Sequence, residues 1–153
     1  MALQLSTGLR NGMLNSVGFT TAFNNGTIYI YSGPQPATAD TAIQGTLLLQ
    51  VTLNNGAWTA GVGTNGLQFD APVSGVLSKA AAQVWRGLGV AAGTAGWFRL
   101  VGNPADAGGA STTLPRLDGT VAISGGDMNL SSLSIVVSAP TTVDVFQFTL
   151  PAS

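Results

Sequence analysis

The sequence lacks three residue types that carry much of protein chemistry: it has no cysteine, no histidine and no glutamate. Without cysteine, disulfides and thiolate metal sites are excluded, and cysteine usage says nothing about the redox compartment. Without histidine, a hydroxyl nucleophile loses its usual general base. All six acidic residues are aspartates. We therefore expect a protein that is not an enzyme, with no catalytic site, no bound metal and no cofactor.

Charge is also scarce, at 7% of the chain against about 25% in ordinary soluble domains. With a formal net charge of −1, a free monomer has little electrostatic protection against association. Burial in an assembly would remove that problem, and a surface rich in Thr and Ser, as on a secreted or phage-encoded domain, is the alternative. Five basic residues cannot form the positive stripe that phosphate binding requires, so we expect no nucleic-acid partner.

Long apolar runs are missing as well, since none reaches the roughly 18 residues that a membrane-spanning helix needs. The first residues also lack the basic region, apolar block and cleavage site of a signal peptide. We therefore expect no membrane partner and folding in the cytoplasm. A chain of 153 residues fits one domain that buries roughly 70% of its extended surface.

Residues 3–17 carry the most persuasive helical pattern. An apolar stripe recurs every four residues, at Leu5, Leu9, Met13 and Val17. Ser6 or Thr7 is expected to cap the start of this helix, and Gly18 to end it in a left-handed conformation. The N-terminal segment is therefore predicted to be one short α-helix.

Two glycines, Gly8 and Gly12, weaken that helix by up to about 1 kcal/mol each relative to alanine. It would survive only when its stripe docks, either on the chain's own sheet or on a partner. We therefore divide the chain into an N-terminal helical segment, residues 1–18, and a single β-sandwich domain, residues 19–153.

From Phe19 onwards the pattern changes to short strands between Gly, Asn and Pro turns. Residues 76–90 also allow a helix through their alanines, but glycines and alternation favour a strand. The other expected strands cover 27–31, 46–53, 94–102, 113–124, 130–137 and 142–150. One helix followed by about eight strands predicts an all-β fold, a jelly-roll-like β-sandwich.

The strand at 94–102 is bulky on both sides. Alternation places Trp97, Arg99 and Val101 on one side, and Phe98 and Leu100 on the other. Such a strand belongs in the middle of a sheet covered on both faces, or at a contact between subunits. Together with the helical stripe it supplies six candidate core or subunit-contact anchors: Leu5, Leu9, Met13, Trp97, Phe98 and Arg99.

Arg99 carries the sharpest hypothesis among these six. We expect its guanidinium to pair with Asp118 or to stack on an aromatic ring. Two interpretations stay open: an ordinary ion pair within the domain, and a contact with a neighbouring subunit.

Three catalytic or metal-binding arrangements were weighed. A nucleophile could be formed by Ser74 or Ser78 with Lys79, the only lysine. Asp118 and Asp127 could form a glycosidase pair, and the turns around them resemble fragments of calcium loops with too few ligands. A surface lysine and solvated turn aspartates explain these residues better, so none is adopted as a site.

Five blocks of sequence carry a resemblance to a known class of proteins. They are LSTGLRNGML at 5–14, IYIYSGPQP at 28–36, TAGWFRL at 94–100, DGTV at 118–121 and GDMNL at 126–130. In combination they resemble small virion proteins of tailed bacteriophages, and in particular the β-rich head decoration, or cement, proteins. The blocks span most of the chain, while residues 54–90 contribute little.

The resemblance implies a structural protein that binds the outside of the head shell and stabilises it. The implied partners are the major capsid protein and copies of the chain itself, in a dimer or trimer, on a virion assembled in the host bacterial cytoplasm. The alternative is a tail or fibre protein that uses the loops at 54–75 and 103–113 as a host-binding surface. A cell-wall hydrolase would need a mechanism that relies on aspartate alone.

Overall fold

The fold is described from a computed structural model covering residues 3–152. Met1, Ala2 and Ser153, which the predicted domain limits include, lie outside the described residues. In chain order the elements are β1 Gln4–Leu5, α1 Thr7–Asn15, α2 Phe19–Phe23, β2 Thr27–Ser32, β3 Leu47–Leu53, β4 Val76–Ser78, β5 Trp85–Leu88, β6 Gly93–Val101, β7 Arg116–Ala122, β8 Met128–Asn129, β9 Ser134–Ile135, β10 Pro140–Val143 and β11 Gln147–Thr149. The predicted all-β class is confirmed, while the jelly-roll arrangement stays a prediction.

Two sheets organise these strands. The large one has the order β1-β7-β6-β2-β3-β5-β10, with β8 beside β7 and β9 beside β6, and the small one pairs β11 with β4. The bulky strand β6 lies between β2 and β7, in the middle of the large sheet, as predicted. Within residues 3–152, neither helix has the length and apolar character needed to cross a membrane.

The hydrophobic core lies between one face of the large sheet and a layer made by the small sheet and the helices. Phe98 and Ile28 contribute from the large sheet, Leu77 and Phe148 from the small sheet, and Phe19 from α2. Phe19 stacks on Phe148 with ring centroids 4.1 Å apart. Burial of these aromatic and aliphatic side chains stabilises the fold.

The predicted helix is shorter than its apolar stripe. Ser6 caps it as expected, since its Oγ accepts a hydrogen bond from the Leu9 N–H at 3.1 Å. Leu5 does not belong to it: this residue lies in β1, opposite Leu117 of β7. Gly18 does not end the helix in a left-handed conformation either, because its φ is −65° and it caps the second helix, α2. Before Ser6, the backbone therefore pairs with β7 as a strand, although the four-residue spacing of apolar residues favours a helix.

Several strand limits differ from the sequence pattern. The preference for strand over helix at 76–90 is confirmed by β4 and β5. The expected strand at 130–137 contains only β9, and that at 142–150 is interrupted between β10 and β11. These last two strands belong to different sheets. The chain therefore crosses from one layer to the other at residues 144–146, which a run of alternating residues does not reveal.

The two helical glycines have different surroundings. A Cβ added at Gly8 would lie 2.3 Å from the Thr113 carbonyl oxygen, whereas one at Gly12 would lie 3.4 Å from the Cβ of Val17. We expect Gly8→Ala to lower the free energy of unfolding by about 1–3 kcal/mol through overpacking against backbone. The matched Gly12→Ala should raise it by up to about 1 kcal/mol through helix propensity. Urea unfolding of both variants measures this, and equal effects would contradict the close packing at Gly8.

Candidate functional site

The second face of the central strand β6 is covered by two loops, residues 33–46 and 102–115. The Trp97 indole N–H donates to the Gln44 carbonyl at 3.2 Å, and Arg99 Nη2 donates to the Thr41 carbonyl at 3.0 Å. Trp97 and Arg99 are 0% and 1% exposed. The strand is thus covered on both faces within a single chain.

Arg99 and Asp118 form a bidentate ion pair across β6 and β7. Arg99 Nε and Nη2 donate to Asp118 Oδ1 and Oδ2, each at 2.7 Å. The guanidinium carbon lies 5.5 Å from the Trp97 ring centroid. Nη1 has no hydrogen-bond partner among the described residues, so the ring supplies a cation–π contact where an acceptor is missing. Both interactions expected for Arg99 are present.

A second buried pair joins Arg116 to Asp106. Arg116 Nε and Nη2 donate to Asp106 Oδ2 and Oδ1, each at 2.6 Å. The same guanidinium donates to the carbonyls of Gly109 at 2.8 Å and Ala39 at 3.4 Å. Arg116 therefore fixes both covering loops to the start of β7. We call Arg99, Asp118, Arg116 and Asp106 the buried charge cluster.

Burial changes the acid–base properties of this face. It raises the pKa of Asp118, an effect that the hydrogen bonds and charge of Arg99 oppose. Burial also raises the pKa of Tyr31, against the opposing charge of Arg99, and that of Tyr29, where Asp106 adds to the effect. Both shifts further disfavour the ionised phenolate, although a tyrosine is already neutral at physiological pH.

A narrow cavity of about 80 Å³ borders the cluster. Its lining includes Tyr29, Tyr31, Ile43, Leu47, Arg99 and Asp106. Tyr31 stacks on Trp97 with ring centroids 4.6 Å apart. The cavity is much smaller than the roughly 300–1,000 Å³ of a small-molecule site, and its two charges already have partners.

Asp40 connects the first covering loop to the start of α1. Its carboxylate accepts hydrogen bonds from the Thr7 N–H at 2.8 Å and the Thr7 hydroxyl at 2.6 Å. Burial alone would raise the pKa of Asp40, but these two bonds, with the charges of Arg10 and Arg116, hold it below its usual value. The helix thus receives from a distant loop the acidic residue that its own first turn lacks.

The catalytic and metal-binding arrangements weighed from the sequence are not assembled. Lys79 Nζ donates to the Gln83 and Ala80 carbonyls rather than to a serine hydroxyl. Asp118 is held by Arg99, and Asp127 accepts hydrogen bonds from the Thr120 N–H and hydroxyl. Among residues 3–152, no three or more acidic side chains come together as a potential metal site.

The six predicted anchors lie in three environments. Leu9 and Phe98 belong to the core. Leu5 and Met13 are partly buried against it. Trp97 and Arg99 lie on the opposite face of the sheet, under the covering loops. The structure holds a single chain, so the subunit-contact interpretation of these residues stays a prediction.

Sequence reasoning missed Asp106 and Asp40, because both lie in loops far along the chain from their partners. It also did not predict which large hydrophobic residues are exposed on the surface of the folded chain. Twelve large hydrophobic residues of the described chain are exposed: Leu14, Val17, Val62, Val73, Val84, Leu88, Val90, Ile123, Val136, Val137, Val145 and Leu150. These residues place aliphatic side chains on the exterior of the molecule.

Comparison of the chain with family models, with curated proteins and with solved structures finds no match.

Proposed function

We propose that this protein is a structural component of a phage virion, a decoration protein that binds the outside of the head shell and stabilises it. The observation that carries the proposal is the exterior of the molecule, which is poor in charge and rich in exposed aliphatic side chains. The sequence blocks that resemble phage cement proteins supply the virion context.

The buried charge cluster makes the exterior poorer in charge than the composition suggests. Of five basic and six acidic residues, two of each form the buried pairs. Seven charged side chains are left for an accessible surface of 7305 Å². Soluble proteins usually rely on many surface charges to stay dispersed. A protein whose surface is covered by neighbours in an assembly does not need them.

The fold also fits a passive stabilising role. Both faces of β6 are filled within the chain, and the covering loops are fixed by hydrogen bonds to buried arginines. Such a domain can keep its shape while it holds neighbouring shell subunits together. Its exposed aliphatic residues would be buried against the shell or against other copies of the protein. Attachment that rests mainly on apolar burial is expected to depend only weakly on salt.

The test compares purified head shells with and without the protein. Shells that carry it should resist heating and low ionic strength better than bare shells, and adding the purified protein back should restore the resistance. Calorimetry and electron microscopy of the shells measure both. Equal resistance of the two preparations would refute the stabilising role.

A tail or fibre protein that contacts the host is the second candidate, and one contact favours it. The Gly61 N–H donates to the Asn103 carbonyl at 2.8 Å and to its side chain at 3.1 Å. The loops expected to form a host-binding surface thus meet at one place, next to the half-exposed Trp58. Copy number separates the candidates, since a decoration protein is present in hundreds of copies per virion and a tip protein in few.

A further inference from the structure

One part of the large sheet is only partly covered on its outer face, where the Asn55 side chain accepts a hydrogen bond from the Leu88 N–H at 3.1 Å. On β5, Trp85 and Gly87 face the core, so Arg86 and Leu88 face outwards. Thr142 and Pro140 of β10 lie directly opposite Arg86 and Leu88. Leu88 and Pro140 are exposed, and Arg86 and Thr142 are half-buried. We call these four residues the open face.

Arg86 differs from the other four basic residues. Arg99 and Arg116 have aspartate partners, Arg10 donates to Thr7, and Lys79 donates to backbone carbonyls. Like Arg10 and Lys79, Arg86 forms no ion pair with any residue between 3 and 152, but its buried Nε also lacks a hydrogen-bond partner. A buried Nε–H without an acceptor has lost its hydration and gained no hydrogen bond in return.

Aliphatic side chains continue beside the open face. Gly89 is bridged to Val137 and hydrogen-bonded to Ser138 and Ala139. This connection brings the exposed Val90 next to the turn that carries Val136 and Val137. β10 is also the last strand of the large sheet among the described residues, so its outer edge has no neighbouring strand. The surface offers apolar area, a free backbone edge and one unpaired cation.

The positive charge of Arg86 indicates which kind of partner fits this surface. A second copy docking symmetrically about Arg86 would bring two Arg86 side chains together, and none of the four residues of the open face is acidic. Like charges in a contact of this kind oppose association. The surface fits a different partner, one that presents a carboxylate beside aliphatic side chains.

We propose that the open face and Val90, Val136 and Val137 dock an aliphatic segment of the head-shell protein that carries an Asp or Glu, with that carboxylate paired to Arg86. This inference rests on the proposed function and names the surface and partner chemistry through which it acts. The guanidinium then gains the bidentate acceptor that it lacks in the free chain. Most of the contact is apolar, so attachment still depends only weakly on salt.

Arginine footprinting tests the location of the contact. Phenylglyoxal should modify Arg86 and the exposed Arg10 in the free protein and leave the buried Arg99 and Arg116 unmodified. On shells, Arg86 should be protected at least about fivefold while Arg10 stays reactive. Peptide mass spectrometry gives the extent of modification at each site. Equal reactivity of Arg86 in free and shell-bound protein would overturn the proposal.

Substitutions separate this inference from the proposed function. Arg86→Gln and Leu88→Ser should each weaken binding to bare shells about tenfold or more, whereas Arg10→Gln should change it less than twofold. Urea unfolding establishes that all three variants fold.

If the unsubstituted protein binds no shells, the proposed function fails. If it binds and both open-face variants bind equally well, the proposed function stands and this inference is wrong. A concentration-dependent dimer that the Arg86→Gln variant strengthens would also overturn it, since a second copy would then be the occupant.

Discussion

Replacement of Asp118 with alanine is expected to lower the free energy of unfolding by about 3–5 kcal/mol, because it leaves the Arg99 guanidinium charged and buried without a counter-ion. Arg99 and Asp118 are 1% and 0% exposed, so the guanidinium left behind is shielded from bulk solvent. Arg99→Ala should be similarly costly, since it leaves a buried carboxylate. Equilibrium urea unfolding of the isolated protein measures both losses.

The control for these variants is Arg10→Ala. Arg10 is exposed and donates one hydrogen bond to the Thr7 hydroxyl, so its loss should change stability by less than about 0.5 kcal/mol. A double variant, Arg99→Met with Asp118→Leu, should recover much of the stability, because apolar residues of similar volume can replace a buried pair at little cost. This would show that the loss comes from the unpaired charge.

The same measurement addresses the role of Arg99 between subunits. Because the pair closes within one chain, we expect the loss to occur in the unfolding of the free protein. A variant that unfolds like the original chain but no longer assembles would contradict this expectation and support the subunit-contact hypothesis.

The sequence predicts the centre of the fold well. Residues 94–102 alternate bulky side chains on both sides, and a strand with two filled faces has to lie inside a sheet. Turn chemistry at the Asn-Asn-Gly repeats also marks the start of β2 and the end of β3, because Asn25, Asn54 and Asn55 adopt the positive φ that these turns require. Both signals are local, so they can be read from the sequence without tertiary information.

Features that depend on tertiary contacts could not be predicted from the local sequence pattern. Leu5 keeps the spacing of the helical stripe but pairs with Leu117, a partner more than a hundred residues away. In β3, a register shift opposite Ile30 and Tyr31 interrupts the regular alternation of faces. Leu48 therefore joins the core, and Leu47 borders the cavity beside Tyr31. A single bulge reverses which side a residue faces, and the sequence pattern does not reveal it.

The open face, like Leu5 and the β3 bulge, could not be predicted from local sequence. Arg99 with Asp118 could be expected from the sequence because both residues lie on adjacent bulky strands. Arg86 could not be singled out, since its distinction is the lack of a partner in the folded chain. That property depends on where every other charge lies, including Asp106 and Asp40 in the covering loops.

Replacement of Phe98 with alanine is expected to cost about 3–5 kcal/mol of stability, as for other large aromatic truncations in a packed core. The ring is fully buried and lies edge-on to Phe146, with centroids 5.7 Å apart. Calorimetry and urea unfolding measure the loss. Leu14→Ala is the control, because Leu14 is 87% exposed and its truncation should change stability by less than about 0.5 kcal/mol.

Gly119 explains how this ring fits in the middle of the sheet. It lies directly opposite Phe98 on β7, and a Cβ added there would lie 2.6 Å from the ring. Gly119→Ala should therefore cost about 1–3 kcal/mol by overpacking. In the Phe98→Ala background the same change should cost clearly less, because the ring is gone, although the Cβ of Asp127 at 2.8 Å keeps some crowding.

The double-mutant cycle of Phe98→Ala and Gly119→Ala measures this coupling directly. Residues in contact give interaction energies of about 0.5–3 kcal/mol, whereas independent sites add. Additive losses would mean that the ring does not occupy the space above Gly119. A coupled cycle would show that the glycine is required by the bulk of its cross-strand neighbour. Under the proposed function, Arg86→Gln should weaken shell binding without the loss of stability expected for Phe98→Ala.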